Sequence, residues 1–465
     1  MTADVIERHT IACLTSELEA LDNFLRGQGS VRVESEDSRP VIVTSSAAGR
    51  AFGFVEQRAK EFWWTATRLV GLGHMHDGTA DAHPRLDARA VWNGPAAAPG
   101  GAPRILIDAT RTHSSGLHTG VQRVTRKLAE FVAVSGEGTA LVQAGKRIVR
   151  FFKGPWPDDV AFEQGDILLL ADLPVMPAAL DMIDRARRRG VYVILLVYDL
   201  IPILYPGLCA PHFRGYFKQT IDAALARVDG VIAISACVAQ DVARYIADAR
   251  IAVTNDFRIG WSHLGADFAA QDERKPPDDG ADVAGGPFFL GVGTIEPRKA
   301  WNVALDAMER LWADGVDARL VLVGRYGWSA HWLRTRIESH PEFGKRLIWR
   351  DRADDAELAA LYRRARALVY PSVCEGFGLP LIEARHYGAP VIASDIPVFR
   401  EIAGDAVRYF PPLDDSALAA LMRQALERRQ PPPDFPTLDW ARACAGMLQL
   451  ARDMAAGRDH ARRVA

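Results

Sequence analysis

Ala367-Leu368-Val369-Tyr370-Pro371, followed shortly by Glu375-Gly376-Phe377-Gly378-Leu379-Pro380-Leu381-Ile382-Glu383, is the stretch on which the reading of this chain turns. The first five residues form an apolar run with the length of a buried strand, and Pro380 suits the first helical position, where its missing N–H costs nothing. Gly376 and Gly378 then fall in a strand-to-helix turn. Glycine lets the backbone approach a ligand closely, and the free N–H groups of a helix's first turn favour an anionic or hydroxyl-rich group. Glu375 would face that group from the loop and Glu383 from the helix. Gly388-Ala389-Pro390 ends the helix, and Val391-Ile392-Ala393-Ser394 starts the next strand. On spacing alone, an ordinary βαβ turn also accounts for the glycines. A carboxylate inside the turn and a second on the helix favour a ligand site.

Outward from this unit, the same rhythm repeats. Upstream lie strands at Phe288-Phe289-Leu290-Gly291-Val292 and Arg319-Leu320-Val321-Leu322-Val323, with helices between. An earlier set has strands at 104–108, 166–170, 191–197 and 230–235 and a helix over 121–134. Apolar runs of this kind mean burial on both faces, as in parallel sheets. A stretch rich in Asp, Pro and Gly, 269–286, separates the sets as a linker, and 94–103 is a low-complexity Gly/Pro/Ala segment. The expectation is an α/β protein of two doubly wound, Rossmann-like domains facing a cleft. An N-terminal extension and linker occupy 1–103, one domain 104–268, and the second domain with the C-terminal helices 287–465.

The Glu375–Glu383 segment resembles the E-x7-E motif of the retaining glycosyltransferases of family four, which have the two-domain GT-B fold. In that family the first Glu and the amides after it hold the donor sugar, and the second holds the nucleotide ribose. The resemblance assigns those parts to Glu375 with Gly376, Phe377, Gly378 and Leu379, and to Glu383. Gly291-Val292-Gly293-Thr294-Ile295-Glu296-Pro297-Arg298-Lys299 is similar to the family's diphosphate-binding loop. It implies Arg298 and Lys299 as the cations that neutralise the departing diphosphate, with Gly293 and Thr294 beside them. An Arg-Lys pair by itself is more often a solvated pair at a helix start, and it is the resemblance that reverses this. Ala300 stands where many relatives carry Asn or Gly. Leu322-Val323-Gly324-Arg325-Tyr326-Gly327-Trp328 resembles the family's VGxxGW stretch and puts Gly324 and Arg325 at the nucleotide border.

In the first domain, Gly116-Leu117-His118-Thr119-Gly120 resembles the family's first glycine-rich loop, with Gly116 and Gly120 letting amides approach the donor phosphates or the acceptor. A structural turn before a helix reads the same way. Val197-Tyr198-Asp199-Leu200-Ile201-Pro202 departs from the pattern, because many relatives have His where this chain has Tyr198. Tyrosine offers no imidazole chemistry near neutral pH. Asp199 either accepts a hydrogen bond from sugar or acceptor or caps the following turn. The resemblance covers residues 104–450 and is strongest over 287–415.

Composition sets further bounds. With 465 residues, 49% hydrophobic, the chain can bury two sizeable cores. A formal net charge of −2 excludes the basic excess typical of nucleic-acid binders. Five scattered cysteines indicate neither a disulfide framework nor a zinc site, and a cytoplasmic location is expected. No run reaches the roughly 18 apolar residues of a membrane span. No DxD-like cluster follows an apolar strand, so no metal and no cofactor beyond the nucleotide-sugar substrate is expected. Basic runs at 185–189 and 146–150 suit either solvent or peripheral contact with an anionic inner membrane face.

The resemblance implies transfer of a hexose, mannose or deoxyhexose, with retention, from a GDP-linked donor to a glycan or lipid-linked acceptor in surface polysaccharide synthesis. A glycosidase is disfavoured because Glu383 is placed about 12 Å along the helix and because the cations would have no purpose. Two alternatives stay open. A nucleotide-sugar epimerase of the same fold would make product without acceptor, and a donor-binding pseudo-enzyme or interaction protein would bind without transfer.

Overall fold

The computed structural model describes residues 31–36, 39–44, 103–115, 120–144, 147–150, 160–172, 177–266, 286–328 and 330–464. The rest of the N-terminal extension, the greater part of the 269–286 linker, Gly116 and Lys146 lie outside the described residues. Within the extension, β1 (Val31–Glu36) and β2 (Arg39–Thr44) pair antiparallel with Val33 opposite Ile42. The sequence reading assigns no element there, because a six-residue hairpin strand carries too little period to stand out.

The chain divides into two compact units. In the first, β3 (Ile105–Asp108), β4 (Gly138–Ala144), β5 (Arg147–Arg150), β6 (Ile167–Leu170), β7 (Tyr192–Val197), β8 (Gly230–Ala233) and β9 (Arg258–Trp261) form one sheet in the order β5-β4-β3-β6-β7-β8-β9. All neighbours are parallel except the edge pair β4 and β5. Strands β3, β6, β7 and β8 are buried along their whole length, as expected of strands covered on both faces. In the second unit, β10 (Phe288–Val292), β11 (Arg319–Val323), β12 (Leu347–Arg350), β13 (Ala367–Tyr370), β14 (Val391–Ser394) and β15 (Arg408–Phe410) are all parallel, ordered β12-β11-β10-β13-β14-β15.

Both orders reverse at one point, between β3 and β6 and between β10 and β13. In doubly wound sheets the loops at the carboxyl ends of the strands flanking such a switch leave a crevice for ligands. The expected α/β architecture of two Rossmann-like units is therefore the observed one.

Two boundaries differ from expectation. Residues 437–465 group with the first unit, not the second. The long helix Trp440–Val464 lies over β8 and β9, where a Cβ on Gly230 would meet Met454 Cε at 2.7 Å and one on Gly260 would meet Leu450 Cδ1 at 3.1 Å. Arg452 also pairs with Glu137 at 3.1 Å. Residues 201–214 in turn group with the second unit. Their Ile201, Leu208 and Cys209 join the buried cluster around Trp301, Phe289 and Met308. Burying each such side chain stabilises by roughly 1.5–3 kcal/mol, enough to draw a short segment away from the strand that precedes it.

Among the described residues no helix is long and apolar enough to cross a membrane. Part of the 185–189 basic run is engaged within the fold, Arg185 with Asp181 at 3.8 Å and Arg187 with Asp229 at 3.7 Å.

Candidate active site

The loop after β10 is zipped to the loop after β11. Gly293 N–H donates to Val323 O at 2.9 Å, Ile295 N–H to Arg325 O at 2.9 Å and Gly327 N–H to Ile295 O at 3.0 Å. The chain then makes a 3-10 turn, Pro297–Lys299, and enters the helix Trp301–Ala313 through Ala300, whose backbone is left-handed at φ 49°. That conformation explains why Asn or Gly suits this place, since both tolerate it better than alanine. Trp301 Nε1 donates to Thr294 O at 3.0 Å, fixing the loop from below. A third link, Val373 N–H to Arg298 O at 2.9 Å, ties the turn to the segment after β13.

These links bring Arg298, Lys299 and Glu375 together across more than seventy residues of sequence. Arg298 Nη1 lies 2.6 Å from Glu375 Oε2, and Lys299 Nζ 2.5 Å from Glu375 Oε1. Ser372 Oγ donates to the same Oε1 at 2.7 Å. Lys299 also donates to the Tyr370 hydroxyl at 3.3 Å, with its ammonium 5.0 Å from that ring's centroid. The Lys299 and Glu375 side chains are each only 8% exposed, so these charges interact with little solvent screening. Burial alone would push the Glu375 carboxyl up, but Arg298 and Lys299 together outweigh it and hold it down at about 2. Burial lowers the Lys299 ammonium, opposed by Glu375.

The second carboxylate sits differently. Gly378, at φ 114°, precedes the helix Leu379–Tyr387, and a Cβ there would stand 3.0 Å from the Phe399 ring. The helix therefore starts at Leu379, one residue before Pro380, and Glu383 lies only about 6 Å along it, not 12 Å. What separates the two carboxylates is their partners. Glu383, 9% exposed, accepts from the Tyr362 hydroxyl at 2.8 Å, whereas Glu375 is held by two cations. Burial, with the charge of Glu383, raises the Tyr362 phenol well above its ordinary value. Phe377, within the turn, is buried at 4% exposure. Gly324 follows β11, while Arg325 is exposed and contributes its carbonyl to the loop zipper.

The remaining predicted residues belong to the other unit. Asp199 follows β7, and Gly120 opens the helix Gly120–Ser135. Gly116 is outside the described residues. Tyr198 does not replace an imidazole at a surface; it is 6% exposed, and its hydroxyl donates to Ala171 O at 2.7 Å. Burial pushes that phenol above its ordinary value. It adjoins a polar lock in which Asp172 accepts from Thr112 N–H at 2.8 Å, from Thr112 Oγ1 at 2.7 Å and from Thr125 Oγ1 at 3.2 Å. Tyr198→Phe is expected to cost about 1 kcal/mol in denaturant unfolding and to leave the shape of any pH–rate profile unchanged. A lost acidic or basic limb would instead make the phenol a proton carrier.

Sequence reasoning missed Ser372, Tyr370, Tyr362 and Glu296. Tyr370 and Ser372 fall within or just beyond the strand already quoted, and Glu296 stands two residues before Arg298. Their signal was position beside the motif, which spacing alone does not convert into contact.

The pattern of the family described as glycosyl transferases group 1 matches residues 275–435. The serotype-specific mannosyltransferase WbdA of Escherichia coli is 33% identical over 362 residues, covering 72% of this chain and 44% of that protein. The O-antigen chain mannosyltransferase RfbU of Salmonella typhimurium is 28% identical over 225 residues, covering 48% of this chain and 58% of its own. The chain thus spans less than half the length of its WbdA relative. Among solved structures, a sucrose-phosphate synthase from Thermosynechococcus elongatus superposes with a TM-score of 0.51 at 19% identity, over 78% of this chain and 98% of that one.

Proposed function

Residues 275–435 belong to the glycosyl transferases group 1 family on a GT-B fold, and from that premise we propose that the chain is a retaining glycosyltransferase. Its donor is a nucleotide-sugar, GDP-linked and carrying mannose or a deoxyhexose. Its acceptor is a glycan or lipid-linked glycan in surface polysaccharide synthesis, reached in the cytoplasm, at or near the inner membrane face. The observation that carries the reading is the buried cluster of Arg298, Lys299 and Glu375 at the switch point between β10 and β13, with Glu383 on the adjoining helix. The mannosyltransferase relatives support the choice of sugar.

In this reading the sugar C1–O bond to the diphosphate breaks while Arg298 and Lys299 stabilise the charge left on the leaving oxygen. The acceptor hydroxyl forms the new C1–O bond on the same face and gives its proton to the departing diphosphate. No covalent nucleophile is needed. Glu375, released from the two cations by the arriving diphosphate, is free to accept from sugar hydroxyls, and Glu383 accepts from the ribose. Asp199 accepts from sugar or acceptor, and Gly116 and Gly120 let backbone amides approach the phosphates or the acceptor. No resident metal or cofactor is assigned a step.

A thermal-shift panel of GDP, UDP, dTDP and ADP on the wild type and Glu383→Gln tests this. A shift selective for one base and lost in the variant is the expected result. No shift with any nucleotide would remove the transferase reading and bring the interaction-protein alternative forward.

A further inference from the structure

Glu296 is 1% exposed, the least exposed carboxylate among the described residues. Its Oε1 lies 2.6 Å from Arg298 Nη2, while Nη1 of the same guanidinium lies 2.6 Å from Glu375. The contact is an ion pair rather than an aligned hydrogen bond. The guanidinium fork is thus held on both sides. Gly327 closes over Glu296, because a Cβ at that position would meet the Glu296 Cβ at 3.3 Å and the Ile295 carbonyl at 3.0 Å. With Glu296 counted, the ion-pair cluster holds two cations, Arg298 and Lys299, and two carboxylates, Glu296 and Glu375.

A diphosphate reaching Arg298 and Lys299 takes the place of one carboxylate. Glu296 sits in the same short turn as Arg298, beneath the β11 loop, and has no room to leave. Glu375 stands at the mouth of a glycine-rich turn. We propose that Glu296 is a positioning residue: it fixes Arg298 through Nη2, so that Nη1 keeps its aim at the place where Glu375 now meets it and where the leaving diphosphate arrives in the reaction. This rests on the reading of the site as a nucleotide-sugar site. Removing a charge from beneath Arg298 then does not weaken anion binding, since the site gains net positive charge. It frees the guanidinium to rotate, which costs orientation when charge develops.

The test uses the full chain, Glu296→Gln and Glu296→Asp, with the nucleoside diphosphate that the wild type selects from GDP, UDP, dTDP and ADP and with the matching nucleotide-sugar as donor. For Glu296→Gln the expected dissociation constant stays within about threefold of the wild type while donor turnover falls about a hundredfold. The 31P signal of the bound β-phosphate moves toward that of free nucleotide, and Glu296→Asp, which restores the charge, moves it part of the way back. A wild-type 31P signal in Glu296→Gln overturns the inference and leaves the functional reading standing. If Glu296→Gln does not fold, Glu296→Asp decides, and wild-type signal and turnover in that variant overturn it. A wild type that binds none of the four nucleotides overturns the functional reading and the inference with it.

Discussion

Glu375→Gln is expected to lower transfer about a thousandfold while tightening the binding of free nucleoside diphosphate several-fold. The two effects have one cause. Glu375 competes with the diphosphate for Arg298 and Lys299, both within 2.6 Å of it. An amide of the same shape does not compete, so ground-state binding gains. The same amide accepts less strongly from sugar hydroxyls as positive charge develops at the anomeric carbon, so turnover falls. Initial-rate kinetics and calorimetric titration separate the two, and a variant with both wild-type turnover and wild-type affinity would sink the assignment.

The substitution also has a pH signature. Lys299 is already lowered by burial and is raised by Glu375, so losing that carboxylate lowers it further. The basic limb of kcat/KM, which reports the free enzyme, is expected to move to lower pH. For stability the sign runs the other way along the scale. Glu375 is depressed to about 2 in the folded protein, against about 4.3 in an unfolded chain. Its contribution is present above the unfolded value and is lost as pH falls through the folded one. At neutral pH Glu375→Gln should be less stable by about 3 kcal/mol, because it leaves a buried ammonium without its partner. That gap should close between about pH 4.3 and about 2.

The inner strands of both sheets were legible because apolar runs such as Ile194-Leu195-Leu196 and Leu320-Val321-Leu322 announce burial on both faces, whereas β4, β5, β9, β12 and β15, toward the sheet edges, were not read from the sequence. Local signals of another kind are present as well, since Asp354 and Glu357 form a reciprocal capping box at the start of the helix Asp355–Arg364. Where the helix Trp440–Val464 packs was not legible, because its sequence specifies an apolar face but not which sheet meets it. The site divides in the same way. Spacing isolates Glu375 and Glu383, and the family resemblance singles out Arg298 and Lys299, yet the pairing of Arg298 with both Glu296 and Glu375 depends on the switch point bringing two distant loops together. What Tyr198 does was not legible, since nothing local to the motif names Ala171 as the acceptor of its hydroxyl.

Gly324→Ala is expected to give the largest loss of stability of any single methyl addition near the site, about 4 kcal/mol. A Cβ at Gly324 would stand 2.0 Å from Gly293 O, 2.5 Å from Gly293 C and 3.1 Å from Thr294 N. All three are backbone atoms, so no side chain can rotate away to make room. Gly324 is also held from the opposite side, where its N–H donates to Arg350 O at 2.9 Å and its carbonyl accepts from Trp349 Nε1 at 2.9 Å. The loop that yields must therefore be the one after β10, and with it go the bonds from Gly293 N–H to Val323 O and from Ile295 N–H to Arg325 O. That loop carries Glu296, Arg298 and Lys299. A displacement of about 1 Å at such groups is enough to cost about a hundredfold in rate, so activity should fall even at temperatures where the variant is folded. Gly446→Ala supplies the contrast. It lies in the helix Trp440–Val464 with nothing within 4 Å of its added Cβ, and it should gain up to about 1 kcal/mol from helix propensity. Denaturant unfolding of the two variants beside the wild type makes the comparison. If Gly324→Ala lies within 1 kcal/mol of the wild type, the two loops are not in contact as described, and the support beneath the cation pair lies elsewhere.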